Sequence, residues 1–188
     1  APGAQRLFQA LQMFKREAGI LLVVLNHSGD IMSANMACQL AERTGIKVKT
    51  ILTHDDISAG LDAPDEDRRG LAGCVPLFKI IGAAAEEGKS LDELLEIGER
   101  FSQNVATLAV AMRSCTHPQN NGIITDLPEG IMEIGMGQHG EGGGGHLPVG
   151  DGRARLGVVG DGVHADRLGH GGRLLAGVQE LPRQTDRV

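Results

Sequence analysis

The sequence has 188 residues and a mass of 19.8 kDa, a size that suits one domain or a domain with a fragment of a second. Apolar residues make up 41% and charged residues 22%, which excludes a disordered polyampholyte. A net charge of −6 and the absence of Trp and Tyr argue against a nucleic-acid binder. We expect neither a membrane span nor a secretory signal, since the longest apolar run covers only residues 20–25. Three cysteines without a C-x-x-C pair fit a reducing, cytoplasmic setting.

Helix and strand patterns alternate along the first 139 residues. Helices are predicted where apolar residues recur every three or four positions between a capping residue and a glycine. Strands are predicted where apolar residues run unbroken or alternate with polar ones. The predicted elements are, in chain order, helix 7–14, strand 20–25 buried on both faces, turn 26–30, helix 33–45 capped by Ser33, strand 47–52, loop 53–69, helix 73–88, helix 90–101 with a capping box at Ser90 and Glu93, strand 105–112 and strand 131–134.

This alternation indicates βαβ crossovers, and therefore an α/β fold with a mainly parallel sheet and flanking helices. Ligands of such sheets collect beyond the carboxyl ends of the strands. The rule directs attention to residues 26–30, 53–56, 113–117 and the segment after Ile134.

Two acidic features lie at these strand ends. The carboxylate of Asp30 either faces the crevice or caps the next helix, and the spacing leaves the two roles equal. Asp55 and Asp56 could hold a metal or shift each other's pKa, but a solvated acidic loop is the favoured interpretation. The His and Cys spacing resembles no structural zinc site, and we expect no metal.

The segment 135–140 matches G-x-G-x-x-G, the pattern of a dinucleotide-binding turn. That site needs a helix directly after the run, whereas Glu141 and four glycines follow here. A glycine-bordered loop that presents His139 to a ligand is more plausible, although the local sequence by itself favours a surface histidine.

An ordered set of short strings resembles the sugar-binding K subunit or domain of dihydroxyacetone (glycerone) kinases over roughly residues 5–145. The strings are Leu-Asn-His-Ser-Gly-Asp at 25–30, Asp-Asp-Ile at 55–57, Arg-Arg-Gly-Leu-Ala-Gly at 68–73, Lys-Ile-Ile-Gly-Ala-Ala-Ala at 79–85, Gly-Lys-Ser-Leu at 88–91, Cys-Thr-His-Pro at 115–118 and Met-Glu-Ile-Gly-Met-Gly-Gln-His-Gly-Glu at 132–141.

The resemblance implies a phosphotransferase of the glycerone kinase type, which phosphorylates a small ketose or aldose such as dihydroxyacetone. It implies that the imidazole of His139 adds to the substrate carbonyl as a covalent hemiaminal. It implies that Asp30, next to Gly29 in the substrate-binding segment, contacts the substrate hydroxyl as its acid/base. It implies no cofactor on this chain, because ATP–Mg or a phosphorylated donor is presented by a separate all-helical L subunit or domain.

The resemblance also divides the chain into a partial α/β domain at 1–115, a substrate-loop segment at 116–145 leading into a fragment of a second, smaller α/β domain, and a Gly/Arg-rich tail at 146–188. The tail begins where lysine disappears and glycine becomes frequent, and we hypothesise that it is an out-of-frame translation. The resemblance also implies that the chain is truncated at its N-terminus and begins after the first strands of the family's subunit. A sheet without those strands has an open edge, so we expect homodimers or aggregates. The alternatives are a non-catalytic carbohydrate-sensing or interaction protein and, more weakly, a nucleotide-binding module.

Overall fold

The computed structural model describes residues 1–60, 63–114, 116–117, 119–123, 126–137, 145–148, 154–159 and 162–167. Its helices are α1 (Ala4–Met13), α2 (Ser28–Arg43), α3 (Cys74–Glu86) and α4 (Leu91–Ser102), and a 3₁₀ turn covers Asp65–Asp67. Its strands are β1 (Ile20–Leu25), β2 (Val48–Thr53), β3 (Val110–Ala111), β4 (Ile131–Ile134), β5 (Gly145–Pro148), β6 (Ala154–Val159) and β7 (Gly162–Arg167). None of the described helices has the length and apolar character that crossing a bilayer requires.

A parallel pair of strands lies between two layers of helices. β1 and β2 pair along their whole length, from Ile20 opposite Val48 to Leu25 opposite Thr53. Alternate side chains of a strand point to opposite faces, and each face has its own apolar cluster. One cluster joins β1 and β2 to α1 and α2 and is built on Leu11, Ala37, Ala41 and Ile46. The other joins them to α3 and α4 and is built on Ile51, Leu77 and Ile81. The predicted α/β class is confirmed.

β1 is less buried than its sequence predicts. Its bounds agree with the prediction, but only Val24 is fully buried and the other side chains are half-buried. Within the described part of the chain β1 pairs with β2 alone, so its second edge has no neighbouring strand. An unbroken apolar run predicts a strand buried on both faces, and an edge with no neighbour in the described part of the chain leaves the side chains of β1 more exposed.

Helix α2 begins five residues before the predicted cap at Ser33. Its N-cap is His27, and the amide of Ile31 donates to the carbonyl of His27 at 2.9 Å. Residues 28–30 therefore form the first helical turn instead of a loop. The end of α2 agrees with the prediction, since Gly45 adopts the left-handed φ of +69° that suits a terminating glycine.

The strand predicted at 105–112 is only partly formed, and its two paired parts have different neighbours. Thr107 makes an isolated parallel bridge to Asp56, next to β2, whereas only Val110 and Ala111 form β3. β3 pairs antiparallel with β4, and β4 pairs antiparallel with β5. In the tail, where the sequence shows no period, β6 and β7 form an antiparallel pair. Parallel pairing is thus confined to β1, β2 and the Thr107 bridge among the described residues.

Candidate functional site

The segments that follow β1 and β2 are bonded to each other beyond the carboxyl ends of these strands. The amide of Asn26 donates to the carbonyl of Thr53 at 3.1 Å. The side-chain amide of Asn26 also reaches three carbonyl oxygens, those of Asp65 at 3.1 Å, Glu66 at 3.2 Å and Arg68 at 2.6 Å. Asn26 therefore holds the loop after β2 against the end of β1.

Asp55 is fully buried and accepts hydrogen bonds from two further segments. One carboxylate oxygen accepts from the amide of Leu71 at 3.0 Å, and the other accepts from the amide of Gly73 at 2.8 Å and from the hydroxyl of Thr107. Buried carboxylates need such donors to replace the water they lose. Asp55 thus ties the 68–73 loop to the strand segment at Thr107.

Two glycines of the 68–73 loop make room for this packing. A Cβ added at Gly73 would lie 2.6 Å from Cγ of Asp55, and one at Gly70 would lie 2.1 Å from the hydroxyl oxygen of Thr53. Both distances are far below van der Waals contact. The absence of a side chain at Gly70 and Gly73 therefore allows the backbone of this loop to lie directly against buried polar groups.

Asp56 forms a buried ion pair with Arg69. Its Oδ2 accepts from Nε of Arg69 at 2.6 Å, and its Oδ1 accepts from the amide of Ser58 at 2.9 Å. Nη2 of Arg69 donates to the hydroxyl of Ser58 at 3.2 Å and to the carbonyl of Gly135. The ion pair thereby connects the end of β2 to the first residue after β4.

The interpretation of Asp55 and Asp56 as a solvated acidic loop is wrong. The two residues are 0% and 2% exposed, because backbone amides, Thr107 and Arg69 take the place of water around them. Among the described residues, no group of three or more His, Cys, Asp or Glu is arranged to hold a metal ion. Asp55 and Asp56 therefore connect the end of β2 to the 68–73 loop.

Asp30 and Gly29 lie in the first turn of α2, directly after β1. Asp30 is half-buried, and its carboxylate makes no hydrogen bond or ion pair within the described part of the chain. The capping role weighed for Asp30 is therefore not realised, since His27 holds the N-cap position. Gly29 is exposed and has only the Cβ of Ala1 near it, at 3.7 Å. The carboxylate of Asp30 is free to meet a ligand.

His139 lies outside the described residues, but the base of its loop is described. Ile134 of β4 pairs with Gly145 of β5, so residues 135–144 connect two antiparallel strands. The amide of Gly135 donates to the carbonyl of Ala109 at 2.8 Å. The next described element after the G-x-G-x-x-G run is a strand, whereas a dinucleotide site needs a helix there.

The described residues Ser114 and His117 of the segment 113–117 bond to residues that follow them in the chain. The amide of His117 donates to the carbonyl of Gly122 at 2.8 Å, and the hydroxyl of Ser114 accepts from the amide of Leu127 at 2.6 Å. Cys115 lies outside the described residues.

Sequence reasoning missed Asn26, Arg69 and Glu133. Glu133 is a buried carboxylate within β4, 3.4 Å from Nε2 of His146 across the strand pair. Asn26 and Arg69 lie in two of the strings that carry the family resemblance, but the sequence assigned neither residue a role. The only signal for Arg69 was its place in a glycine-bordered string beside a buried strand.

Two sequence comparisons agree on the family. The family model described as the Dak1 domain matches residues 1–167. The dihydroxyacetone-binding subunit DhaK of PTS-dependent dihydroxyacetone kinase 1 from Listeria innocua is 41% identical over 141 residues, which are 75% of this chain and 43% of the relative. The chain thus spans less than half the length of that relative. The family match also continues past Gly145, where the sequence by itself no longer showed the resemblance.

Solved structures resemble the fold as well. The dihydroxyacetone kinase of C. freundii has a TM-score of 0.73 and 34% identity, over 81% of this chain and 28% of that chain. The dihydroxyacetone kinase operon co-activator Dha-DhaQ has a TM-score of 0.73 and 30% identity, over 81% of this chain and 46% of that chain. The same fold thus occurs in an enzyme and in a co-activator.

Proposed function

This chain belongs to the Dak1 domain family, and from that membership we propose that it is the sugar-binding part of a dihydroxyacetone-type kinase. It holds a small ketose or aldose, such as dihydroxyacetone, for phosphorylation. Its partner is a helical nucleotide-binding L subunit or domain, which brings the phosphoryl donor, either ATP–Mg or a phosphorylated protein.

One observation carries the proposal: adjacent residues of one loop contact the segments of both catalytic candidates. The carbonyl of Arg68 accepts from Asn26, which lies four residues before Asp30. The guanidinium of the next residue, Arg69, donates to Gly135, which lies four residues before His139. Two segments remote in sequence are thereby brought to the same loop beyond the carboxyl end of β2, which supports a site built from both.

His139 captures the substrate through its neutral imidazole. A ring nitrogen forms a bond to the carbonyl carbon, the π-electron pair of the carbonyl moves to its oxygen, and that oxygen takes a proton while the other ring nitrogen loses one. Only carbonyl compounds react in this way, so a plain polyol such as glycerol is not captured. The covalent bond also removes most of the translational freedom of the substrate before the donor arrives.

Asp30 accepts the proton of the substrate hydroxyl as that oxygen attacks the phosphoryl group. Its place after β1 and its lack of a partner in the described part of the chain support this role. A carboxylate already bonded to helix amides would be a weaker proton acceptor.

The test uses dihydroxyacetone labelled with ¹³C at the carbonyl. We expect the labelled carbon to move from the carbonyl to the tetrahedral region of the NMR spectrum on binding. The mass of the intact protein then rises by one whole substrate molecule, because a hemiaminal forms without loss of water. His139→Asn abolishes both signals, whereas Asp30→Asn keeps capture but stops turnover with the L partner. A folded protein that leaves the carbonyl resonance unchanged refutes covalent capture.

The likeness to the co-activator structure favours a second candidate, a carbohydrate-sensing protein without turnover. Both candidates bind the ketose. A mixture of the chain with ATP, dihydroxyacetone and an L partner distinguishes the two candidates, because only the kinase consumes ATP.

A further inference from the structure

We propose that Arg69 is a positioning residue that fixes the base of the loop carrying His139. The inference rests on the proposed role of His139 in substrate capture. It assigns to the buried Asp56–Arg69 ion pair the task of setting where that loop leaves the sheet.

The guanidinium of Arg69 is itself fixed by its bond to the buried Asp56. Nε bonds Asp56, whose second oxygen accepts from the amide of Ser58 and whose own amide donates to the carbonyl of Arg69 at 2.9 Å. Asp56 in turn forms the parallel bridge to Thr107. The side chain of Arg69 is only 17% exposed. The donor that Arg69 presents to Gly135 is therefore fixed relative to the central strands.

Both backbone polar groups of Gly135 form hydrogen bonds. Its amide donates to Ala109 and its carbonyl accepts from Nη2 of Arg69. It follows Ile134, which is 1% exposed and pairs with Gly145 across the base of the loop. Because Gly135 has a φ of +75°, which only glycine adopts at low cost, these two bonds select one direction for the chain.

His139 is four residues from Gly135. A misplacement of about 1 Å at a reacting group can lower a rate by about a hundredfold. Without an anchor at Gly135, the imidazole would meet the carbonyl carbon less often in a reactive geometry.

Lysine cannot replace arginine in this role. A lysine ammonium can pair with Asp56, but it lacks the planar fork that places separate donors on Asp56, Ser58 and Gly135 at once. Arg69→Lys therefore keeps the buried charge balanced while it removes the bond to Gly135. This variant therefore tests the bond to Gly135 without leaving the Asp56 carboxylate unpaired.

The experiment compares Arg69→Lys with Arg100→Lys, a control on the exposed last turn of α4. The first readout is the rate at which the tetrahedral ¹³C signal appears with labelled dihydroxyacetone. The second is hydrogen exchange of the peptide 131–137, with α4 as the internal reference. We expect Arg69→Lys to slow capture about tenfold and to speed exchange at 131–137, with α4 unchanged. Arg100→Lys changes neither readout. A purely structural defect would lower the folded fraction without slowing capture in folded molecules.

A capture rate and an exchange pattern equal to those of the parent overturn the proposal. If Arg69→Lys does not fold, the double variant Asp56→Asn/Arg69→Gln leaves no charge buried alone and takes its place. If the parent itself captures no ketose, the proposed function fails. The exchange at 131–137 then still decides the positioning role, because unchanged exchange in the variant refutes it.

Discussion

At the scale of single residues, two glycines of the α3 region differ in the space around them. Gly73 is the N-cap of α3, and an added Cβ there would lie 2.6 Å from Cγ of Asp55 and 2.9 Å from both carboxylate oxygens. Gly82 lies inside α3, and an added Cβ there would meet nothing within 4 Å. The same chemical change should therefore have opposite effects at the two positions.

We expect Gly73→Ala to lower the free energy of unfolding by about 1–3 kcal/mol, because the buried Asp55 carboxylate cannot move without losing its donors. Gly82→Ala should raise the free energy of unfolding by about 0.5–1 kcal/mol, through better helix propensity. Urea denaturation of both variants measures the difference. Equal stability of the two variants would mean that Asp55 does not lie beneath the loop.

At the scale of elements, α4 is defined by its own sequence. Ser90 Oγ accepts from the amide of Glu93 at 3.3 Å, and the carboxylate of Glu93 accepts from the amide of Ser90 at 2.8 Å. The bonds that this carboxylate accepts from the amide of Ser90 and, at 2.9 Å, from its hydroxyl, followed by the one from Lys89, lower the pKa of Glu93 below the ordinary range of a glutamate. A group with a lowered folded pKa stabilises the fold above its unfolded pKa, and this stability is lost as the pH falls through the folded value.

Ser90→Ala should cost about 1 kcal/mol of stability near neutral pH. The cost should shrink as the pH falls from neutral to below the ordinary pKa of a glutamate, because protonation of Glu93 weakens the bond that its carboxylate accepts from the Ser90 hydroxyl, which the variant lacks. Urea denaturation across this pH range provides the measurement. Ser33→Ala is the matched control. Ser33 lies inside α2 and not at its start, so that change should cost nothing. A loss at Ser33 similar to that at Ser90 would contradict the observed start of α2.

At the scale of the whole molecule, the second edge of β1 has no neighbouring strand in the described part of the chain. Two of the helices that contact β1 carry exposed apolar side chains, which are Met32 and Met36 on α2 and Val75 and Phe78 on α3. Open edges and apolar surface both favour pairing with another chain.

We expect the chain to form dimers or larger species in solution, with a population that rises with concentration, as measured by light scattering. Met36→Glu combined with Phe78→Lys should reduce association, because it puts charge on the exposed apolar surface without touching a buried residue. A parent that is monomeric at all concentrations contradicts this expectation.

The sequence by itself determined the elements whose signals are local. The unbroken apolar run of β1, the short strand β4 and the capping box of α4 all have the predicted bounds to within a residue, because each depends on neighbours within a few positions. The α/β class and the family followed from the order of such pieces. Asp30 was singled out because it follows β1, while the place of His139 beside it stays a prediction.

Only the tertiary structure decided what the polar residues between these elements do. Asp55 and Asp56 look like a solvated pair in the sequence, yet all of their side-chain partners except Ser58 lie 13 to 52 residues away, and the two residues are buried. Arg69 reaches Gly135 across 66 residues, a contact that no local pattern encodes. The cause is physical: a buried charge is stable only where donors from several remote segments converge, and that convergence exists only once the chain is folded.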